Sequence, residues 1–493
     1  MSPEEKEKTM KRILTLCLGV VMLMSLCAAC KKDAGGNQNQ PASSRVLIAA
    51  DIHVSAEDAH TKERLRKTLT YAKNNDVDLV IFNGDIVDVG NDANYATLDK
   101  IFRDVFGSPE QVNVKFIFNM GNHEFYPTNA CAHEETDYEL QFGRFAAFSA
   151  KWSDFTADQG SIYLTEVNGI SYIVAAPSDK QVYMSGRKVV YCAGIGGYHE
   201  ADIALIDSLI AQATAENPGE PVYLLSHHPW GETYGGASYG MPEDKVVTGM
   251  RAVMEKYPHL VSITSHTHFS SLHERSFAQD KWTTINTGMH TYGKYVDIEF
   301  DANGEALDYD NIENRRHTNA DPVSKALHGA THLVWDVRYG EDSFTATVFN
   351  MATETAYSRL SYTVPYGITA DNKSEKFSYE LSDRAAPTLT WSAEDELAAE
   401  LIKTGSAISL KLTFNDTEQF YATEGYRICV MDTTTGETLQ TLLWASRFWS
   451  AQDKKDSYEI TVDGLPHCDE YTVTVEAIDF YGNYSDAKLE ATV

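Results

Sequence analysis

The chain has 493 residues, 43% hydrophobic and 23% charged, a globular composition with room for about three folding units or fewer. Its 41 basic and 71 acidic residues give a formal net charge of −30 with no basic stripe to offset it, which argues against a nucleic acid polymer as partner. The seven cysteines, at 17, 27, 30, 131, 192, 429 and 468, exclude a dense disulfide framework and show no zinc-finger spacing. Cys131/Cys192 and Cys429/Cys468 either pair in an oxidising compartment or stand as buried thiols.

In chain order, residues 1–12 carry Lys6, Lys8, Lys11 and Arg12, and Ile13 to Leu26 is a nearly unbroken apolar run ending in Cys27-Ala28-Ala29-Cys30. A basic start, a short apolar stretch and small residues at a cut describe an export signal, and the run is short for a membrane span. Small residues directly before a cysteine resemble the lipobox of bacterial lipoproteins. That resemblance implies cleavage after residue 29, acylation of Cys30 and a membrane-anchored bacterial lipoprotein, at the cell surface or in the periplasm. Cys27 departs from the pattern, since an aliphatic residue is usual there, and ordinary secretion is the alternative. Residues 31–44, including GGNQNQPASS, read as a flexible tether.

From Val46 to Phe300, short apolar runs alternate with loops and helical stretches such as Glu57–Lys73 and His199–Ala215. The runs VLIAA (46–50), DLVIF (78–82), VKFIFNM (114–120), ISYIVAA (170–176), PVYLLS (221–226) and LVSITS (260–265) suit strands buried on both faces. The alternation predicts a layered α/β domain. YVDIEFD, THLVWDVRY and SFTATVFNM, within 295–365, read as antiparallel strands closing it. After a break near 366–388, the last ~105 residues carry alternating strands and turns, a β-sandwich pattern. GLPHCDEYTVTVEAIDFYGNYSD (464–486) resembles the end of a fibronectin type III-like domain. The expected division is 1–30 signal, 31–44 tether, 45–368 catalytic domain and 385–493 spacer or adhesion module.

Each main apolar run stops at metal-binding residue types: Asp51-Ile52-His53, Gly84-Asp85, Gly121-Asn122-His123-Glu124, His227-His228-Pro229 and His266-Thr267-His268. Ligand sites of open α/β sheets gather beyond the carboxyl ends of strands, so loops far apart in sequence can converge there. Imidazole and carboxylate suit borderline and hard divalent cations, and one carboxylate can lie between two of them. The glycines before Asp85 and Asn122 allow a tight turn where backbone crowds such a site. Taken singly these motifs are weak; in order, each after an apolar run, they are specific.

The ordered set D-x-H, G-D, G-N-H-E, H-x-P and H-x-H resembles the calcineurin-like metallophosphoesterase superfamily over roughly residues 45–300. The resemblance implies a four-layer α/β/β/α sandwich, here with a C-terminal all-β immunoglobulin-like sandwich. It implies two divalent ions of Mn, Fe or Zn: one on Asp51, His53 and His268, the other on Asn122, His227 and His266, with Asp85 bridging. It assigns His123 as acid or transition-state stabiliser and implies hydrolysis of a phosphoester by a metal-bound hydroxide. Ser265 departs from the usual Gly before the first histidine of the last motif. Purple acid phosphatases carry an iron-binding Tyr where Asp88 stands, which argues against that chemistry.

The Gly- and Tyr-rich segment 230–244 reads as a lid, a stacking surface or a plain loop. Tyr126, His228, Trp230 and Tyr234 are the candidate substrate contacts, and a small or nucleotide-type phosphodiester or phosphomonoester is the expected substrate. The rival readings are a cell-surface binding or adhesion protein, and a structural metal protein.

Overall fold

The computed structural model describes residues 44–126, 138–154, 160–176, 180–185, 188–193, 198–230, 233, 244–268, 270–272, 274–287, 332–380, 388–446, 457–479 and 483–493. The leader, Cys30, the tether up to residue 43, Cys131, Tyr234, most of 230–244 and the YVDIEFD run lie outside them. The chain first runs β1 (Ser44–Ala49), α1 (Ala59–Asn74), β2 (Leu79–Asn83), α2 (Asp92–Phe106), β3 (Lys115–Asn119) and α3 (Tyr138–Trp152). It continues β4 (Ile162–Val167), β5 (Ile170–Ala175), β6 (Lys180–Ser185), β7 (Lys188–Ala193), α4 (Glu200–Glu216), β8 (Val222–Leu225), α5 (Asp244–Met254), β9 (Leu260–Thr264), β10 (Phe277–Gln279) and β11 (Thr283–Asn286). Then come β12 (Leu333–Tyr339), β13 (Ser343–Asn350) and β14 (Thr355–Pro365). The last strands are β15 (Ala398–Thr404), β16 (Ala407–Phe414), β17 (Thr423–Asp432), β18 (Thr438–Ala445), β19 (Tyr458–Asp463), β20 (Tyr471–Asp479) and β21 (Leu489–Thr492).

Two six-stranded mixed sheets form, in the orders β14-β13-β12-β1-β2-β3 and β10-β11-β9-β8-β5-β4. The six apolar runs of the sequence are their parallel centres: β1, β2 and β3 run parallel, as do β5, β8 and β9. Alternation along each strand explains the layering. Val46, Ile48, Leu79, Ile81 and Ile117 face Tyr172, Val174, Tyr223, Leu225, Val261 and Ile263 in one core between the sheets. The intervening residues Leu47, Val80, Phe82, Phe116 and Phe118 pack under α1, α2 and α3. Ile173, Ala175, Val222, Leu224 and Leu260 pack under α4 and α5. The order is therefore helices, sheet, sheet, helices.

The helices start where short polar side chains can satisfy their free N–H groups. Asp58 accepts from the His60 amide at 2.8 Å before α1, and Asn91 accepts from the Asn94 amide at 2.9 Å before α2. Helix α2 is held to its sheet by Phe102, whose ring lies 5.1–6.3 Å from those of Phe82, Phe106, Phe116, Phe118, Phe148 and Trp152. Strands β12 and β13 are the two closing runs expected within the described residues, and β12 pairs antiparallel with β1.

Beyond residue 388 a three-stranded antiparallel sheet, β15-β16-β19, and a four-stranded one, β18-β17-β20-β21, share a core of Leu410, Leu412, Ile428, Val430, Ile460, Val462, Val473 and Val475. The Tyr471 hydroxyl donates to the Pro466 carbonyl at 2.7 Å, tying the head of β20 to its own loop. Cys429 and Cys468 are free thiols, which corrects the possible pairing. Cys429 sits in register with Thr474, six residues along from Cys468, beyond the ~7 Å Cα separation a disulfide tolerates. The side chain of Cys192 lies outside the described residues.

Candidate metal centre

The five motifs follow the carboxyl ends of strands from both sheets: β1, β2 and β3 in one, β8 and β9 in the other. The backbone there departs from ordinary geometry. Asp51, His53, Asp85, His266 and His268 all have positive φ, between 50° and 72°, a region costly for residues with a Cβ. Five such residues at one place mark a local structure that the surrounding packing over-determines. Gly84 has φ of 94°, and a Cβ there would lie 2.4 Å from His227 Nδ1; one on Gly121 would lie 2.2 Å from Asp85 Oδ1. The two glycines let three strand ends close around His227 and Asp85.

Asp51, His53, Asp85 and His268 each offer one ligand atom within 4.8 Å of the others, and so do Asp85, His227 and His266. Asp85 is common to both groups. His227 Nε2 lies 3.1 Å and His53 Nε2 3.8 Å from Asp85 Oδ2, while His268 Nε2 lies 3.2 Å from Asp51 Oδ1. Each carboxylate uses one oxygen on backbone: Asp51 Oδ2 accepts from the His266 amide at 3.2 Å, and Asp85 Oδ1 from the His123 amide at 2.9 Å. The other oxygens, Asp51 Oδ1 and Asp85 Oδ2, have no hydrogen-bond partner among the described residues, nor do Asn122 Oδ1 and His227 Nε2, and all four are buried. Asn122 spends its Nδ2 on the Tyr126 hydroxyl at 2.8 Å, which fixes the amide and leaves its buried oxygen as the atom it can offer.

Buried acceptors left unpaired are costly, and two buried carboxylates more so. Among the described residues, neither Asp51 nor Asp85 has a Lys or Arg partner; their ion pairs are with histidines alone. Burial would raise the Asp85 carboxyl, but His227, His123 and His53 outweigh it and hold it well below the usual range. Burial would lower His227, yet Asp85 and Asp51 raise it to about 9. Burial and neighbouring imidazoles push His53 down to about 4 and His266 well below its ordinary value. Ionised carboxylates, the neutral imidazoles of His53 and His266, a His227 whose Nε2 proton a cation would displace, and an asparagine oxygen form a donor set suited to divalent cations.

Two residues without a role in the sequence reading complete the site. Glu124, fully buried, accepts from the amides of Asp85, Ile86, Val87 and Gly121 at 2.7–3.1 Å and so ties the second motif to the third. Burial and the Asp85 charge push its carboxyl up to about 7. Asp88 accepts from His123 Nδ1 through its carbonyl at 2.7 Å, and its carboxylate lies 3.5 Å from His53 Nδ1 and 3.7 Å from His123 Nδ1. The signal for Asp88 was its place three residues after Asp85, at the start of the same loop.

The other candidates separate. His123 Nε2 lies 4.0 Å from Asp85 Oδ2, and its side chain is 19% exposed, against 5% or less for His53, His227 and His268. The Tyr126 ring lies 4.8 Å from the His123 ring. His228 is fully buried beside His266, ring centroids 4.4 Å apart; burial and His227 push it down to about 3. Trp230, expected at a substrate surface, is instead a core residue: fully buried, packed on Tyr198 and within the core under α4 and α5.

Residues 44–270 match the family model described as calcineurin-like phosphoesterase. Among curated proteins, none is significantly similar to this chain. Among solved structures, a dimetal phosphatase from Danio rerio is 14% identical, covering 66% of this chain and 99% of its own, at a TM-score of 0.40. A purple acid phosphatase from yellow lupin (Lupinus luteus) seeds is 12% identical, covering 70% of this chain and 57% of its own, at a TM-score of 0.41.

Proposed function

We propose that this chain, with a calcineurin-like phosphoesterase domain at residues 44–270, is a hydrolase of small phosphoesters that works with two divalent cations, Mn, Fe or Zn. Asp51, His53 and His268 would hold one ion and Asn122, His227 and His266 the other, with Asp85 between them. The observation that carries this reading is that buried Asp51 Oδ1 and Asp85 Oδ2 lie 3.9 and 3.1 Å from His227 Nε2, with none of the three hydrogen-bonded among the described residues. When bound, such cations supply Lewis-acid polarisation of phosphoryl oxygens and activation of water. The chain's own part is orientation. The Asp88 carbonyl has no proton to give, so His123 Nδ1 carries one and donates it there, which leaves Nε2 turned to the centre. From that nitrogen, at the exposed rim of the site and once it too carries a proton, His123 donates to the leaving oxygen and stabilises its charge. Tyr126 braces both Asn122 and His123.

A phosphodiester or a nucleotide-type small phosphoester is the favoured substrate; His228, fully buried, packs beside His266. The test is metal analysis of the purified chain together with turnover of p-nitrophenyl mono- and diesters in added Mn²⁺ or Zn²⁺. Two ions per chain and hydrolysis are expected; absence of both would leave the binding or adhesion reading. That reading draws on the C-terminal sheets, where the Tyr471–Pro466 bond is similar to the tyrosine corner of immunoglobulin-like sandwiches and supports a module of that kind. The proposed division is 45–368 for catalysis and 385–493 for this module. We also infer export and acylation at Cys30. Cys30→Ala should move the protein from the membrane to the soluble fraction, and an unchanged distribution would refute the anchor.

A further inference from the structure

Beneath the centre, the inner faces of the two sheets are joined by a chain of amides and one hydroxyl, in a layer otherwise filled by aliphatic and aromatic side chains. Asn83 is the last residue of β2 and Asn119 the last of β3, and both are fully buried. Asn83 Nδ2 donates across to the opposite sheet, to the Ser226 carbonyl at 2.9 Å and the Ile263 carbonyl at 3.2 Å. Asn83 Oδ1 accepts from Asn119 Nδ2 at 2.9 Å, which also reaches the Leu225 carbonyl at 3.2 Å. Asn119 Oδ1 accepts from the Met120 amide at 2.9 Å. Each amide nitrogen faces acceptors and each amide oxygen a donor, so neither side chain can be turned over without losing bonds.

The chain of bonds ends on a candidate ligand. The Asn83 carbonyl accepts from His227 Nδ1 at 2.8 Å and from the Ser265 hydroxyl at 2.8 Å, and that hydroxyl lies 2.9 Å from the same Nδ1. A carbonyl has no proton, so Nδ1 carries it. Nε2 is left as the ligand atom, 3.1 Å from Asp85 Oδ2.

Asp51, His53, Asp85 and Asn122 extend from the first sheet, and His227, His266 and His268 from the second. A cation pair gripped from both sides needs the sheets held at one separation. Apolar packing is not directional, whereas a hydrogen-bonded chain in a dry layer has one register. Resting on the two-cation reading above, we propose that Asn83, Asn119 and Ser265 form a clamp between the sheets. The clamp sets the spacing of the two halves of the metal centre and fixes the ring of His227. These are positioning residues; none of them faces the substrate.

The test uses Ser265→Ala, Asn119→Ala and Asn83→Leu in the full chain. Zn²⁺ or Mn²⁺ titration calorimetry and metal counting give the affinity of each ion, and melting of the metal-free protein gives the stability of the fold. The wild type is expected to take two ions. Ser265→Ala and Asn119→Ala are expected to weaken the ion held by His227 by on the order of 10–100-fold, and the other ion, which also takes ligands from both sheets, by less. His227→Ala should weaken the same ion, and adding Ser265→Ala to it should produce no further loss. Wild-type affinities for both ions in the Ser265 and Asn119 variants would overturn the clamp while leaving the two-cation reading intact. So would a lowered melting temperature with unchanged affinities measured well below it. A wild type that does not take two ions would overturn both. If Asn83→Leu does not fold, Ser265→Ala, which removes a single oxygen, decides the matter.

Discussion

Asp85 carries the centre at the scale of single residues. Its Oδ1 holds the His123 amide, its Oδ2 points unpartnered toward His227 and His53, and Glu124 holds its own amide. No neighbouring side chain can take over a shared carboxylate between two ligand groups. Asp85→Ala is expected to lower turnover of a p-nitrophenyl phosphoester by ~10³-fold or more, since metal-borne charge stabilisation is worth several kcal/mol at about 1.4 kcal/mol per decade. The circular dichroism of the chain should stay that of a folded protein, because the apolar core between the sheets does not include Asp85. Near-normal turnover would remove the basis for the two-cation reading. Asp88 and Glu124 act at one remove, one orienting rings and the other pinning loops, and a motif read letter by letter gives no hint of which atom each holds.

Between elements, Asp99 links two helices of one layer. On α2, it accepts from Arg103 Nε at 2.8 Å in its own helix and from Lys151 Nζ at 2.6 Å and Trp152 Nε1 at 2.8 Å on α3. Burial would raise its carboxyl, but these donors outweigh that and hold it below the usual range. A carboxyl depressed in the folded state adds stability above its unfolded pKa of ~3.9, and that stability disappears as pH falls through the lower folded value. Asp99→Asn is therefore expected to be less stable than wild type by about 1 kcal/mol at neutral pH, a modest figure because part of the group is wet. The two proteins should converge in stability as pH drops below ~4. Denaturant melts across that range check it; a gap that persists unchanged into acid would mean that packing, not charge, is at work.

For the whole molecule, the region matching the family model ends at residue 270, yet the first sheet takes three of its six strands from 333–365. Trp335 on β12 donates to the Asn286 carbonyl at 2.8 Å, and Gln279 accepts from the amides of Ser378 and Tyr379 at 2.9 and 3.1 Å. A fragment ending at residue 270 should therefore be insoluble or unfolded. One ending near residue 384, without the C-terminal sheets and their separate core, should fold and keep the proposed phosphoesterase activity, as judged by melting and turnover. Loss of folding in the longer fragment would show that the C-terminal sheets complete the core. Sequence alone determined the parallel strands, the helices between them and the residue types at the strand ends, because burial on both faces imprints a local pattern and metal chemistry restricts the side chains. Sequence alone left open the two free cysteines, the burial of Trp230, the role of Asp88 and the amide chain through Asn83. Those depend on which way a side chain turns and on what a distant strand brings opposite it. Only the packing of one sheet on the other decides that.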